Sequence, residues 1–288
     1  MIRVALAIIW VLHFLPLALL APIGRGFGLL LYAAARERRR VARINLRLCF
    51  PQWSDAQRRR TARRHFQAFG RAVLERGLLW WSSRERILRI VRIEGLQHWQ
   101  AVAGQPVIWL APHFVGLDMG GTRLAAEFPA ASMYSRQKDP ILDAILYHGR
   151  TRFVMPKLFS RQEGLRPLVR AMREGLPFYY LPDMDFGSRD SVFVPFFGVP
   201  AATITGLARI ARLAHALVVP VVTRQLPGGR GYVLQFHPPW EAFPSDDPVA
   251  DTRRMNAFIE DRVREAPEQY HWLHKRFKTR PPGEPPVY

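Results

Sequence analysis

His113 and Asp118 are the residues of this chain whose types and spacing most directly suggest chemistry. They lie in the segment Pro106-VIWLAPHFVGLDMGG-Gly121, where a short apolar run, Val107 to Ala111, delivers a histidine and four residues separate it from an aspartate. The run has the length and apolarity of a buried strand, and Pro112 and Gly116 mark the turn after it. A histidine at the end of a buried strand, with a carboxylate about one turn away, can serve as a general base. The spacing makes Asp118 the acceptor for the other ring nitrogen, fixing the tautomer and stabilising the imidazolium as it forms. The chemistry would be removal of a proton from a hydroxyl that then attacks an acyl group. The plainer alternative is a structural histidine followed by an aspartate at a helix N-terminus.

Composition narrows the setting. The 288 residues carry 42 Lys+Arg against 23 Asp+Glu, a formal net charge of +19. Such a field favours polyanionic partners: nucleic acid, an anionic membrane, phosphorylated lipid or an acidic protein. Most of the basic residues are arginine, which grips phosphate and carboxylate with two parallel hydrogen bonds. The single cysteine, Cys49, excludes an internal disulfide and a cysteine-rich metal site.

The N-terminus selects among the partners. Val4–Ile23 has no formal charge, and twenty residues of helix reach about 30 Å, the depth of a bilayer core. Pro16 and Pro22 would kink such a helix. A cleaved signal peptide or a buried core helix would have the same composition. The stretch is long for a signal, however, and it is followed by Arg25 and by Arg36, Arg38, Arg39, Arg40, Arg43 and Arg47. The positive-inside rule then puts the basic side in the cytoplasm. The resulting expectation is a membrane anchor over residues 1–31, single-pass, and a cytoplasmic-face domain over residues 32–288.

The elements that must position His113 read as follows. Residues 36–50 form a basic amphipathic helix, and Ser54-DAQ-Gln57 is a capping box opening another that runs to Trp80. Arg58, Arg59, Arg60, Arg63 and Arg64 crowd its first turns, a belt suited to lipid headgroups. Beyond residue 90, apolar runs at 90–93, 107–111, 131–135, 178–182, 216–224 and 232–236 alternate with helical stretches at 142–152, 164–174 and 203–213. A last helix is expected over 251–263. The alternation predicts an α/β fold with helices on the faces of a mixed sheet.

Sites in such sheets form beyond the carboxyl ends of strands. Arg136 follows one strand, Arg150 and Arg152 lie in Tyr147-HGRTRF-Phe153, and Asp183 and Asp185 follow another. Paired acids after a strand can be turn formers or can hold a divalent cation, and no third carboxylate stands at a defined spacing to favour the cation.

The order of these blocks is similar to that of the late acyltransferases of lipid A biosynthesis, which are related more distantly to glycerophosphate acyltransferases. His113-FVGLD-Asp118 carries the wider superfamily's His-x-x-x-x-Asp element. Val192-FVPFFGVPAATITGLAR-Arg209 and Trp272-LHKRFKTRP-Pro281 resemble the lipid A branch more specifically, and Arg40-VARINLRLCFP-Pro51 is similar to its N-terminal flank. The likeness spans nearly the whole chain. One departure is local: Leu181-PDMDFG-Gly187 lacks the glutamine of the family's version, which leaves the role of Asp183 open.

The resemblance implies a glycerophosphate acyltransferase-like fold with an N-terminal transmembrane helix. It implies an inner-membrane enzyme that moves a fatty acyl chain from acyl carrier protein to a hydroxyl of a 3-hydroxyacyl chain on the Kdo-bearing lipid A precursor. His113 would be the base and Asp118 its helper. Arg150 or Arg152 would bind acceptor phosphate or the oxyanion, with Arg136 a further candidate and Asp183 and Asp185 structural or acceptor-positioning. The thioester donor is already activated, so no metal, cofactor or nucleophilic side chain is required. The apolar stretches 193–197 and 204–207 are expected to line an acyl groove. Transfer to another lipid such as a glycerophospholipid is the neighbouring alternative. A non-enzymatic basic protein that binds a membrane surface or nucleic acid is the distant one, although no nucleic-acid recognition module is present.

Overall fold

The apolar N-terminus folds as two helices rather than one. In the computed structural model, which describes residues 2–153, 157–160 and 164–288, α1 spans Ile2–Leu12 and α2 spans Leu17–Ala34. Pro16 sits in extended backbone at the N-cap of α2 (φ −56°, ψ 143°) and so separates the two, whereas Pro22 is absorbed inside α2. At eleven residues α1 is about 16 Å long, half of a bilayer core. α2, at eighteen residues and a mean hydropathy of 1.6, is long and apolar enough to cross a membrane.

The next helix, α3 (Arg36–Cys49), buries Val41, Ile44, Asn45, Leu46 and Cys49 and leaves its arginines outside. The capping box forms as expected: Ser54 accepts from the Gln57 backbone and Gln57 accepts from the Ser54 backbone, opening α4 (Asp55–Leu74). α4 packs along α2 with the two backbones touching. A Cβ added at Gly28 would lie 2.1 Å from the Phe66 carbonyl oxygen, and one at Gly70 would lie 2.4 Å from the Gly28 nitrogen. The helix expected to reach Trp80 stops at Leu74. There Glu75 turns inward to take Arg71 (2.9 Å) and the Tyr232 hydroxyl, and α5 (Arg76–Trp81) starts anew.

The rest is α/β. The chain continues through α6 (Arg84–Ile90), β1 (Val91–Glu94), α7 (Leu96–Gln100), β2 (Val107–Leu110), α8 (Leu117–Ala125), β3 (Ala131–Tyr134) and α9 (Pro140–Thr151). It goes on to β4 (Lys157–Ser160), α10 (Arg166–Arg173), β5 (Phe178–Tyr180), β6 (Ser191–Phe196), β7 (Val199–Ile204), α11 (Gly206–Ala214), β8 (Leu217–Gln225), β9 (Tyr232–Phe236) and α12 (Pro248–Glu265). Seven strands form one sheet in the order β1-β9-β8-β2-β5-β3-β4, parallel except where β9 runs against β8. Six of these seven match the apolar runs of the sequence; β4 was not anticipated.

Residues alternate between the two faces of the sheet. Ile108, Leu110, Phe178 and Tyr180 pack with α3, α4, α11, α12 and the C-terminal segment. Val107, Trp109, Val219, Val221 and Leu234 pack with α5 to α8 on the other side. The stretch 192–204 stands apart from that sheet. It makes a separate antiparallel hairpin, β6–β7, whose Val194, Phe196, Ala201 and Ala202 are buried.

Candidate active site

The central strands place His113 by register. Leu110 of β2 pairs with Tyr180 of β5, and the Ala111 amide donates to the Tyr180 carbonyl (2.8 Å). Three residues past each member of that pair stand His113 and Asp183, side by side at the carboxyl ends of adjacent strands.

They are joined three times over. His113 Nδ1 lies 2.7 Å from Asp183 Oδ1, and the His113 backbone amide donates to the same carboxylate at 3.0 and 3.2 Å. The Asp183 side chain is only 1% exposed, and its burial alone would raise its pKa; His113, with the Tyr270 hydroxyl, overrides that and holds it at about 2. A carboxylate so held makes Nδ1 the donor, which fixes the tautomer with Nε2 basic. Nε2 has no hydrogen-bond partner among the described residues.

The bond expected between His113 and Asp118 is therefore made by Asp183. Asp118 stands in the first turn of α8, where its Oδ2 meets Arg76 Nη2 at 2.9 Å, both side chains being partly exposed. Desolvation works against its ionisation, but Arg76, then Arg150 and His113, outweigh that and keep its carboxyl below the ordinary range. α8 itself is pressed onto the sheet: a Cβ at Gly120 would lie 1.9 Å from Thr223 Oγ1. That contact sets where Asp118 and Leu117 come to rest.

Two cavities meet at this point. The larger, about 460 Å³, runs between α8, α9 and strands β2, β3 and β5. The smaller, about 230 Å³, runs between α4, the loop after β2 and His271. His113, Asp118, Arg76 and Arg150 border both. A base, a carboxylate and two guanidinium groups thus stand at the junction of two largely apolar chambers. That arrangement suits a reaction joining two lipid-like substrates through an oxyanion.

A model of the bacterial lipid A biosynthesis acyltransferases matches residues 2–279. The chain belongs to that family. The acyltransferase is 35% identical over 286 residues to the lipid A biosynthesis lauroyltransferase of Escherichia coli, covering 98% of this chain and 93% of that one. It is 32% identical to the palmitoleoyltransferase of the same organism, over 98% and 92% of the two chains. With that organism's myristoyltransferase it shares 33% identity over 92% and 82%. Among solved structures, a 1-acyl-sn-glycerophosphate acyltransferase from Thermotoga maritima is a loose likeness, with a TM-score of 0.40 and 14% identity over 86% of this chain and 97% of that one.

The other expected residues separate cleanly. Arg150 borders both cavities and stacks over the Tyr134 ring at 5.5 Å. Arg152 turns away, donating to the Trp80 carbonyl (2.8 Å) and lying over the Phe153 ring. Arg136 is exposed, 3.7 Å from Asp143, outside both cavity walls. Asp185 is buried and spent on structure: it accepts from the Gly187 amide and from the Thr279 amide and hydroxyl, at 2.7–2.9 Å. Among the described residues no group of three or more His, Cys, Asp or Glu side chains is placed to hold a metal ion. The stretches 193–197 and 204–207 line neither cavity; Val194 and Phe196 of β6 and Leu207 of α11 are buried in the core instead.

The C-terminal segment is the part of the site that residue types alone did not reveal. Phe114 and Tyr270 form an antiparallel bridge, the Val115 amide donates to Gln269 (2.8 Å), and the His271 amide donates to His113 (2.9 Å). The segment is held from behind by Asn45, whose amide donates to the carbonyls of Trp272 and His274, both at 2.8 Å. The signal was present in the blocks Arg40–Pro51 and Trp272–Pro281, which Asn45 joins behind the loop that carries His113.

Proposed function

We propose that this acyltransferase moves a fatty acyl chain from an acyl-carrier-protein thioester to a hydroxyl of a 3-hydroxyacyl chain on the Kdo-bearing lipid A precursor. The observation that carries the reading is a histidine with its Nδ1 fixed and its Nε2 free, set where two chambers meet. His113 Nε2 takes the proton of the acceptor hydroxyl as its oxygen attacks the thioester carbonyl carbon. The carbon–sulfur bond then breaks, and the thiolate takes the proton from the imidazolium. Asp183 is the positioning residue for the imidazole. Arg150 faces the oxyanion or an acceptor phosphate. Asp118 holds Arg76 beside it and adds negative potential to the approach of the imidazolium.

Both substrates are anionic, which fits the charge of +19. Residues 1–31 are assigned to the membrane, on the strength of the exposed side chains of Ile8, Val11, Phe14, Leu19, Ile23 and Leu30. The catalytic domain is assigned to the cytoplasmic face of the inner membrane, with the exposed arginines of α3 and α4 on anionic headgroups. Purified protein given acyl-carrier-protein thioester and, separately, the lipid A precursor or a glycerophospholipid tests the assignment. Acylation of the precursor is expected; acylation of the glycerophospholipid alone would replace the acceptor.

A further inference from the structure

The C-terminal segment does more than pair with the loop that carries His113: one of its side chains reaches the partner of the base. The Tyr270 hydroxyl donates to the Asp183 carboxylate. The backbone around it is fixed by the bridge to Phe114 and by the bond from the His271 amide to the His113 carbonyl (2.9 Å). Tyr270 is buried, and its ring is fixed by Trp272 at 5.0 Å and by Phe114 and Phe196 at 5.8 Å. Burial, and then the charge of Asp183, push the phenol well above its ordinary pKa. The proton therefore stays on the oxygen and is offered as a hydrogen bond.

That donor matters because of where the others come from. Asp183 takes the backbone amide and Nδ1 of His113. A carboxylate held by these alone would rest on the residue it has to orient. Tyr270 supplies a donor from outside the pair, and it draws on negative charge that would otherwise go to the imidazole. We infer that Tyr270 is a positioning residue for the reaction, its hydroxyl anchoring Asp183 and moderating the basicity of His113. This role rests on the acyl-transfer reading above and gives the His113–Asp183 pair a third member.

The other ionisable groups that face the network are quiet near neutral pH. Burial holds His271 at about 3 and His274 at about 4, and His65 of α4, its ring 6.4 Å from that of His271, at about 4. Asp118 of α8 stays below the ordinary carboxylate range, and burial pushes the Cys49 thiol of α3 well up. Arg76, Arg150 and Arg276 add fixed positive charge.

The test is the proton uptake of His113, followed through the imidazole nitrogen-15 shifts of histidine-labelled full-length protein in detergent, in the wild type and in Tyr270→Phe. The chain has nine histidines, and the His113 signal is the one absent from His113→Gln. Tyr270→Phe removes the hydroxyl and keeps the ring. Asp183 then has more charge to give the imidazolium, and the midpoint should rise by about one pH unit. In single-turnover acyl transfer the acid limb of the pH profile should move up with it. Tyr270→Met also lacks the hydroxyl and carries the test if Tyr270→Phe does not fold. Thr279→Val removes another hydroxyl of the same segment, one spent on Asp185 (2.8 Å), and should lower thermal stability with the midpoint in place. A midpoint that stays put or falls in folded Tyr270→Phe would overturn the inference, as would an equal rise in Thr279→Val. A wild type that transfers no acyl chain from any thioester would instead sink the functional reading, while the titration would still decide whether Tyr270 governs His113.

Discussion

Two carboxylates flank His113, and they are used in opposite ways. Asp183 is 1% exposed and gives its carboxylate to His113 and the Tyr270 hydroxyl, while Asp118 is 43% exposed and shares its carboxylate with an arginine at the mouth of the cavities. The buried one has no water to compete for the imidazole, so its bond is both strong and fixed in direction. The half-exposed one is held by Arg76, with Arg150 close by, where solvent reaches the pair. Burial, not proximity in sequence, decides which carboxylate orients the ring.

The comparison can be broken or sharpened in several places. The largest effect is expected from His113→Ala: turnover falls by on the order of 10⁴-fold or more in a thioester-consumption assay, with membrane association and thermal stability retained. Next comes Arg150→Met, whose loss of on the order of 10²-fold or more should fall mainly on kcat if the guanidinium meets the oxyanion. A loss confined to KM would assign it to acceptor phosphate instead. Arg152→Met, by contrast, should cost about 1–2 kcal/mol of stability through the Trp80 carbonyl and leave kcat unmoved. A matching kcat loss in the two variants would erase the distinction drawn between them.

A pH experiment probes the buried side of the comparison alone. Burial holds His65 at about 4 and His271 at about 3, against 6.5 for a free histidine. The unfolded chain therefore binds protons that the folded one refuses as pH falls below 6.5. Stability is full above that value and is lost toward 4 and 3, at up to about 1.4 kcal/mol per pH unit for each histidine. Asp183 adds a further loss only between about 3.8 and 2, because its folded value is the lower one. Urea melts should weaken from about pH 7 to about pH 5, and His65→Asn should flatten that slope.

Much of this was legible in the chain. Six of seven sheet strands announce themselves as apolar runs, and β2 at Val107 to Leu110 does so because it is buried on both faces. β4 gives no comparable apolar run, since Lys157–Ser160 is a short edge strand and only partly buried. The hairpin β6–β7 does not read as such a run because Pro195 and Pro200 interrupt it, and the helix expected from residue 203 begins at Gly206. His113 stands out by residue type and position, whereas Arg150 is offered only as one of two arginines, with Arg152, in the block Tyr147–Phe153. The partner of His113 does not stand out, since Asp183 lies 70 residues away and only sheet register brings the two together. Spacing along one segment reports neighbours on a helix turn or strand; it is silent about a contact made across a sheet.

The most direct measurement sets Asp183→Asn beside Asp118→Asn in single-turnover acyl transfer, with substrate affinity measured separately. The expected result is a fall in the rate of the chemical step on the order of 10³-fold or more for Asp183→Asn, with affinity little changed. Asp118→Asn should lose less in that step and more in affinity or in the salt dependence of binding. The reverse order, with Asp118→Asn crippling the chemical step and Asp183→Asn nearly silent, would contradict the assignment of the orienting carboxylate and return that role to Asp118.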